Sequence, residues 1–382
     1  MSMRSCDVLI VGGGPAGSSC ARQLVRAGWD VLVMDKQDFP RDKVCAGWIT
    51  PAVIDALELD SAEYAQGRVM QPIHGFRTGL IGGAAVDTRY PHAASFGIRR
   101  REFDHYLLQR ARARLKLGEP MRSMVRDGSG WRVNGENGEI RTPLVVGAGG
   151  HFCPVSRLLG TQPEARETKK TTETIVAAQE IEFPLTAAQR SECHFDNDVV
   201  QLYFCPDLKG YGWCFPKGNY LNIGLGREDN HHLPEQVEQF RQWLQQRGMI
   251  PRTLPGKFNG HAYLLYPSSR RKLTDDGVLL IGDAAGLAYP QSGEGILPAI
   301  ESGLIAAQVI RDAAGDYRQR ELEPYLARLR ARFGERNSSQ GGTSWLPQAL
   351  RQKLAKPLMA SAWFARHVVI DRWFLHNEQR AA

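Results

Sequence analysis

The sequence lacks several features that would place it in other classes of protein. No segment of the 382 residues approaches the roughly 20 unbroken apolar residues that a membrane-spanning helix needs. The first residues are not expected to act as a signal peptide, because Asp7–Val11 already predicts a strand that leads into a glycine turn. The cysteines are odd in number, seven in all, and include no CxxC pair, which disfavours a disulfide framework and a zinc site. We therefore expect no metal and a cytoplasmic protein, either free or resting on a membrane surface.

The charge of the chain gives no sign of a nucleic-acid partner. The net charge is +7, but the basic residues are scattered along predicted helices and no nucleic-acid-binding motif is present. Solvated helix faces account for this pattern. Attraction to anionic lipid head groups or to a phosphorylated substrate stays open.

A glycine-rich turn lies close to the start of the sequence. Residues 6–35 predict a βαβ unit, in which the strand DVLIV is followed by GGGPAG, a helix and the strand WDVLVMD. This GxGxxG spacing allows a tight turn, lets a pyrophosphate approach the backbone, and lets helix and strand pack closely. Asp35, at the end of the second strand, is placed to accept hydrogen bonds from ribose hydroxyls. The residues predicted to contact a dinucleotide here are Gly12, Gly14, Pro15, Ala16, Gly17, Asp35 and Lys36.

A second glycine turn, GDAAG at residues 282–286, follows the apolar strand VLLI. Asp283 is predicted to meet the ribityl chain of a flavin, and the small residues of the turn, including Gly282, to let the isoalloxazine edge lie against the backbone. The following helix is predicted to direct its positive end at the flavin pyrimidine ring. This pairing of motifs favours FAD and resembles the para-hydroxybenzoate hydroxylase-like flavoprotein superfamily. Arg100, in the segment RREFD, resembles the flavin-contacting arginine of that superfamily. GAGGHFCPVSR (147–157) resembles its GADGxxSxxR motif but has Gly149 in place of the aspartate.

The resemblance implies an α/β fold with a Rossmann-like FAD-binding domain, an interleaved antiparallel β-sheet substrate domain and C-terminal helices. Helices are predicted at residues 101–117 and from about 294 to 314. The predicted FAD-binding domain comprises residues 1–70, 98–165 and 268–335. The substrate domain comprises residues 71–97 and 166–267, and residues 336–382 form a C-terminal helical segment.

Three further segments resemble the geranylgeranyl reductase family. They are KVCAGWITP (43–51), YGWCFPKGNYLNIGLG (211–226) and PQSGEGILPAIESG (290–303). The resemblance implies that reduced flavin delivers a hydride to one carbon of an isoprenoid double bond while an acid protonates the other. Backbone close to the flavin is expected at Gly293, Glu294, Gly295 and Ile296.

Cys45 is the candidate proton donor or substrate-positioning residue, because it lies in an irregular loop and thiols can act in acid–base roles. The alternative is an inert buried cysteine. An apolar substrate is expected to contact Tyr211, Trp213, Phe215 and Trp48, provided that the YxWxF alternation puts the first three on one face of a strand. The alternative is that these side chains are ordinary core aromatics.

The sequence leaves several points open. It contains one dinucleotide turn, so the reductant is either transiently bound NAD(P)H or a protein such as ferredoxin. An FAD-dependent monooxygenase or halogenase that forms a C4a-hydroperoxide is an alternative on the same fold, and a non-catalytic flavin- or lipid-binding protein is another. Three roles are open for the basic C-terminal stretch: it caps a substrate channel, lies on a membrane, or covers the core. Its aromatic residues are Trp345, Trp363, Phe364, Trp373 and Phe374.

Overall fold

The structure, a computed structural model, describes residues 4–160, 173–229, 232–336 and 356–377. Trp345 and residues 166–172 of the predicted substrate domain lie outside the described residues. The strands, in chain order, are β1 (Arg4–Ser5), β2 (Val8–Val11), β3 (Val31–Met34), β4 (Trp48–Ile49), β5 (Met70–Ile73), β6 (Gly75–Leu80), β7 (Ala85–Arg89), β8 (Ser95–Ile98), β9 (Arg114–Lys116), β10 (Ser123–Asp127), β11 (Gly130–Asn134), β12 (Glu139–Thr142), β13 (Leu144–Gly147), β14 (Ile175–Pro184), β15 (Val199–Phe204), β16 (Gly210–Lys217), β17 (Tyr220–Arg227), β18 (Asn259–Leu264), β19 (Thr274–Asp275) and β20 (Val278–Leu280).

The helices alternate with these strands. In chain order they are α1 (Pro15–Arg26), α2 (Pro51–Leu57), α3 (Ser61–Ala65), α4 (Arg100–Ala111), α5 (Pro154–Leu159), α6 (Ala187–Ser191), α7 (Leu233–Gln246), α8 (Ile296–Asp312), α9 (Gln319–Leu322), α10 (Pro324–Phe333) and α11 (Ala362–Phe364), which continues as a π-helix over Ala365–Phe374. Within the described residues, no helix is both long and apolar enough to cross a bilayer.

The chain forms two compact units, and the first comprises the described residues of Met1–Asp42, Arg101–Thr174 and Tyr263–Ser338. Its main sheet has the strand order β19-β20-β13-β2-β3-β9 and is parallel except for β19. Every residue of β2, β3 and β13 is buried, as expected for parallel strands covered on both faces. A second sheet, β1-β12-β11-β10, belongs to the same unit.

The second unit comprises the described residues of Lys43–Arg100, Ile175–Ala262 and Ser339–Ala382. Its seven-stranded sheet has the order β18-β14-β17-β16-β15-β6-β7. The pairs within it are antiparallel from β14 to β15 and between β6 and β7, while β15 and β6 are parallel. Helix α7 packs on one face through Val237, Phe240 and Leu244. The π-helix packs Val369, Ile370 and Phe374 into the core cluster that contains Phe76 and Phe215.

The predicted fold class, a Rossmann-like α/β unit with an interleaved antiparallel sheet, is confirmed. The predicted helix at 101–117 was wrong beyond Ala111. Arg112 has a φ of +53°, which ends the helix, and Leu115 pairs with Val33 in the parallel sheet. The grouping of segments also differs from the predicted boundaries. Residues 43–70 fall in the second unit, where β4 and β5 pair with β8 in a separate three-stranded sheet. The described part of 336–382 beyond residue 355 falls in that unit as well.

Candidate active site

The three glycines of the first turn serve two different purposes. A Cβ atom at Gly12, whose φ is +121°, would lie 2.4 Å from the Ala148 carbonyl carbon, and one at Gly17 would lie 1.9 Å from the Gly12 oxygen. These two positions therefore need glycine for the packing of the protein itself. A Cβ atom at Gly14 would meet only the Nη2 atom of Arg41, at 3.5 Å. The missing side chain at Gly14 thus leaves room for a ligand rather than for the protein.

The amino terminus of α1 points its backbone N–H groups at this room. Gly14 precedes the helix, Pro15 is its first residue, and no side chain caps it. The first-turn N–H groups of a helix have no partners within the helix and attract phosphate. Asp35 is held at the same turn, because its carboxylate accepts the Gly13 N–H at 2.8 Å and the Gln37 N–H at 2.9 Å.

Arg41 is a residue of this turn that the sequence analysis missed. Its guanidinium lies 3.1 Å from the fully buried Asp104 carboxylate and over the ring of Phe39. Its Nη1 atom is buried and has no hydrogen-bond partner among the described residues. A buried donor left in this state is costly, so an anionic ligand beside Gly14 would satisfy it. The loop around Arg41 shows no periodicity, and only the folded structure reveals the position of the residue.

The second glycine turn lies against the first. A Cβ atom at Gly282 would be 2.9 Å from the Cβ atom of Ala16, and the Gly282 N–H donates to the Ser302 hydroxyl at 2.9 Å. The carboxylate of Asp283 lies next to Gly295, where an added Cβ atom would be 3.0 Å from Oδ1. The fold therefore brings two motifs together that are widely separated in the sequence.

The segment before α8 forms a closed loop next to Asp283. The Gly293 N–H donates to the Tyr289 carbonyl at 2.9 Å, and the Tyr289 N–H donates to the Glu294 carbonyl at 3.0 Å. Helix α8 begins at Ile296 after Gly295, and no side chain caps it. Its amino terminus therefore also offers N–H groups and the positive end of a dipole to an electron-rich ligand.

The predicted cofactor residues of the first unit thus fall into one region. The two glycine turns and the start of α8 contain Gly12, Gly14, Pro15, Ala16, Gly17, Asp35, Gly282, Asp283, Gly293, Glu294, Gly295 and Ile296. Lys36 follows Asp35 with an exposed side chain. Their roles toward a ligand stay predictions. Arg100 is buried at the start of α4 and is assigned to the second unit.

Arg271 ties the segment around Gly149 to the second glycine turn. Its Nη2 atom donates to the His151 carbonyl at 2.7 Å, and its Nη1 atom donates to the Ala284 carbonyl at 2.8 Å. An added Cβ atom at Gly149 would lie 3.3 Å from the sulfur of Cys153, and burial raises the pKa of this thiol. The segment is therefore fixed by an arginine that the sequence analysis did not single out.

In the second unit, one face of the antiparallel sheet carries the predicted substrate residues. Tyr211, Trp213 and Phe215 alternate on β16, and all three belong to or pack against a single apolar cluster. Trp48 packs against the same cluster and stacks on Phe374 of the π-helix, with ring centroids 5.3 Å apart. The predicted alternation is therefore present, and the π-helix packs against this aromatic face. Contact of these side chains with a substrate stays a prediction.

Cys45 lies in a loop attached to the same sheet. Its backbone N–H donates to Glu180 Oε2 at 2.5 Å, and its sulfur accepts the Gly47 N–H at 3.4 Å. Asn222 links Cys45 to the aromatic face, because its side chain donates to the Cys45 carbonyl at 3.5 Å and accepts the Trp213 indole N–H at 2.7 Å. Cys45 is half-buried and is thus distinct from the inert buried cysteines of the core.

Glycine turns at the ends of parallel strands, uncapped helix starts and the unsatisfied guanidinium nitrogen of Arg41 define a dinucleotide-binding flavoprotein. The family model described as "FAD binding domain" matches residues 5–325. The chain belongs to this family of FAD-dependent oxidoreductases, and FAD is its cofactor.

Proteins named as reductases are among the relatives of this chain. The chain is 31% identical over 332 residues to a menaquinone reductase of Mycobacterium tuberculosis, covering 81% of this chain and 78% of the relative. It is 27% identical to a digeranylgeranylglycerophospholipid reductase of Methanocaldococcus jannaschii, covering 86% and 83%. The resemblance to the geranylgeranyl reductase family is therefore confirmed.

Two solved structures share the fold. A geranylgeranyl bacteriochlorophyll reductase-like protein of Thermoplasma acidophilum superposes with a TM-score of 0.77 at 20% identity and covers 100% of both chains. The halogenase PltM, solved in complex with FAD, superposes with a TM-score of 0.69 at 15% identity and covers 98% of this chain and 86% of its own. At these identities the likeness concerns the fold alone.

Proposed function

We propose that the protein reduces carbon–carbon double bonds of an isoprenoid or similarly apolar substrate. One observation carries this proposal. The face of the antiparallel sheet that bears Tyr211, Trp213 and Phe215 is linked to a loop that contains a half-buried thiol, Cys45. Five of the six other cysteines are buried, and the half-buried Trp48 and Tyr211 of the aromatic face leave apolar surface that can contact a hydrocarbon chain. The names of the reductase relatives agree with an apolar substrate.

FAD fits the first unit, because the open space at Gly14 and the free Nη1 atom of Arg41 suit a pyrophosphate. When bound, FAD supplies a hydride for one alkene carbon after reduction by NAD(P)H or by a protein such as ferredoxin. The residues of the chain have other tasks. Asp35 would accept hydrogen bonds from the ribose hydroxyls, and Asp283 would hold the ribityl chain. The aromatic face would exclude water from the alkene, and Cys45 would hold the proton for the second alkene carbon.

A peripheral contact with a lipid surface follows from the same proposal. The described C-terminal residues expose Leu358 and Trp363 to solvent by 43% and 65%, close to the exposed basic residues Lys356 and Arg366. Apolar and basic side chains in one segment favour an interfacial position. Co-sedimentation with anionic vesicles, compared with a Trp363→Ser variant, tests this contact, and equal sedimentation of the two would contradict it.

Anaerobic single turnover tests the proposed reaction. The holoprotein is reduced with dithionite, the excess is removed, and digeranylgeranylglycerophospholipid or menaquinone is added. We expect the absorbance of oxidised flavin to return and the substrate to gain two hydrogen atoms for each bond reduced, as measured by mass spectrometry. Cys45→Ala should keep its flavin and react more slowly. Flavin that stays reduced anaerobically, but oxidises rapidly in air with transfer of oxygen or halogen to a substrate, would replace this proposal with the monooxygenase or halogenase alternative.

A further inference from the structure

The aromatic face of β16 ends in a buried polar cluster. Glu180 and Glu182 of β14, Asn222 of β17 and Lys217 of β16 lie on the same face as Phe215, as their strand pairing requires. Lys217 and Asn222 belong to the segment 211–226 that resembles the geranylgeranyl reductases, but the proposed function gives only its aromatic residues a task. The polar half of this segment therefore needs its own explanation.

Lys217 holds the loop that contains Cys45. Its side chain is 0% exposed, and its ammonium group donates to the carbonyls of Ala46 at 2.9 Å and Ile98 at 3.0 Å and forms an ion pair with Glu182. An ammonium group has three N–H donors. All three are thus accounted for by Ala46, Ile98 and Glu182.

Glu182 is fully paired. Its Oε1 atom accepts from Arg99 at 3.0 Å, and its Oε2 atom accepts from Lys217 and from Asn222. Burial by itself would raise the pKa of Glu182, but the charges and hydrogen bonds of Lys217 and Arg99 outweigh burial and lower it. Glu182 is therefore the ionised carboxylate of the cluster.

Glu180 differs from Glu182 in its partners. Its carboxyl group accepts the backbone N–H of Cys45 at 2.5 Å, and within the described part of the chain no cationic side chain forms an ion pair with it. Burial is the main cause that raises the pKa of Glu180 to about 8, opposed by the charge of Lys217 and supported by the charge of Glu182. Arg100 also opposes the rise. Near neutral pH the group is mainly protonated, so one face of the sheet carries an ionised and a neutral carboxyl group side by side.

We propose that Glu180 is a positioning residue for Cys45: its carboxyl group accepts the Cys45 backbone N–H and so fixes the loop that bears the thiol. Lys217 and Asn222 hold the same loop through the carbonyls of Ala46 and Cys45. An ionised Glu180 would face Glu182 and would attract the Lys217 ammonium group away from Ala46. The thiol would then lose its defined position.

This proposal rests on the proposed function only where it concerns turnover. The position of Cys45 can be measured without any substrate, through the rate at which iodoacetamide alkylates its thiol. Mass spectrometry of the peptide that contains Cys45 separates this rate from that of Cys193, which is also partly exposed. A failure of the proposed reaction is therefore distinguishable from a failure of the positioning role.

The test compares the wild-type holoprotein with Glu180→Gln and Glu180→Leu across the pH range around the value of about 8 given for Glu180. Glutamine keeps an oxygen that can accept the Cys45 N–H and cannot lose a proton, whereas leucine removes the acceptor. Glu321→Gln, an exposed change in the first unit, serves as the control.

We expect the wild-type rate of Cys45 alkylation to rise relative to that of Glu180→Gln above about pH 8, and kcat to fall there more in the wild type than in Glu180→Gln. Glu180→Leu should raise the alkylation rate and lower kcat by about tenfold or more at every pH, with little change in KM, because small displacements of a reacting group cost this much. Equal alkylation rates in all three proteins would overturn the positioning role, even if no alkene is reduced. A wild-type pH profile that Glu180→Gln reproduces would overturn the role of the proton.

Discussion

Gly17 packs so tightly on Gly12 that a Cβ atom at Gly17 would lie 1.9 Å from the Gly12 carbonyl oxygen. A bond to an extra carbon atom cannot be accommodated at this distance without moving the helix away from the strand. The glycine motif therefore contains two kinds of position: Gly12 and Gly17 are needed for the packing of the protein, whereas Gly14 leaves space beside it.

Substitutions at Gly17 and Gly14 should accordingly have different effects. Gly17→Ala should lower the free energy of unfolding by about 3 kcal/mol, the upper end of the range for overpacking. Gly14→Val should leave the fold intact but remove FAD, because the backbone can no longer approach the pyrophosphate. Thermal unfolding of the apoprotein and the flavin absorbance of the purified protein measure the two effects. A Gly14→Val protein that retains a full complement of flavin would contradict the assignment of this site.

Arg41 should contribute to the affinity for FAD through its unsatisfied Nη1 atom. A hydrogen bond to a charged group contributes about 1.5–3 kcal/mol, so Arg41→Gln should weaken FAD binding by about tenfold or more. The change also removes the Arg41 ion pair of the buried Asp104, so Arg41→Gln/Asp104→Asn is the appropriate partner variant. Isothermal titration of the apoproteins with FAD measures both affinities.

Arg101→Gln is the control for Arg41, because Arg101 forms an exposed ion pair with Asp42 and such pairs contribute little. Its affinity for FAD should equal that of the wild type. If the double variant bound FAD as tightly as the wild type does, Arg41 would have only a structural role.

Local patterns explain what the sequence could predict. The glycine turns and the YxWxF alternation were found because each is encoded within one strand and its flanking turn. The roles of Arg41, Glu180 and Lys217 cannot be predicted from local sequence, because they depend on partners that the fold brings together. Glu180 and Cys45, for example, are 135 positions apart.

The same limit explains why local pattern and strand pairing differ at particular segments of the fold. Leu115 continues the apolar stripe of α4 in the sequence, yet its backbone pairs with Val33, and no helical periodicity reveals a strand partner. Residues 43–70 follow the nucleotide-binding segment in the sequence, but their strands β4 and β5 pair with β8. Pairing between distant strands is a tertiary choice that local propensity does not determine.

Phe374 should be important for the stability of the second unit. Its ring stacks on Trp48 and packs edge-on against Tyr211 at 5.2 Å between centroids, and its side chain is buried. Phe374→Ala should lower the free energy of unfolding by about 3 kcal/mol or more, as expected for a truncated core aromatic. Trp363→Ala is a matched control, because Trp363 is 65% exposed, and its effect should stay within about 0.5 kcal/mol. Denaturant unfolding measures both free energies. If Phe374→Ala lost as little stability as the Trp363→Ala control, the π-helix would not stabilise the unit through Phe374.

The stability of the holoprotein should also depend on the protonation of Glu180. Burial raises the pKa of this group in the folded protein to about 8 from its ordinary value of 4.5. Between these values the folded state binds a proton that the unfolded state has released, so the free energy of unfolding falls as the pH rises through this window. The contribution of Glu180 is fully present below the lower value and is lost by the upper one. Its slope is at most about 1.4 kcal/mol per pH unit.

Glu180→Gln isolates this contribution, because glutamine fills the same space without titrating. The free energy of unfolding of the wild type minus that of Glu180→Gln should fall steadily from about pH 5 to about pH 8 and then level off. Taking the difference removes the titration of groups that the two proteins share, including Glu182, whose lowered pKa places its own loss of stability at more acidic pH. Denaturant titrations at a series of pH values provide the measurement. If this difference in unfolding free energy stayed constant across the range, Glu180 would be ionised in the folded protein. The claim of a neutral carboxyl group next to Cys45 would then be wrong.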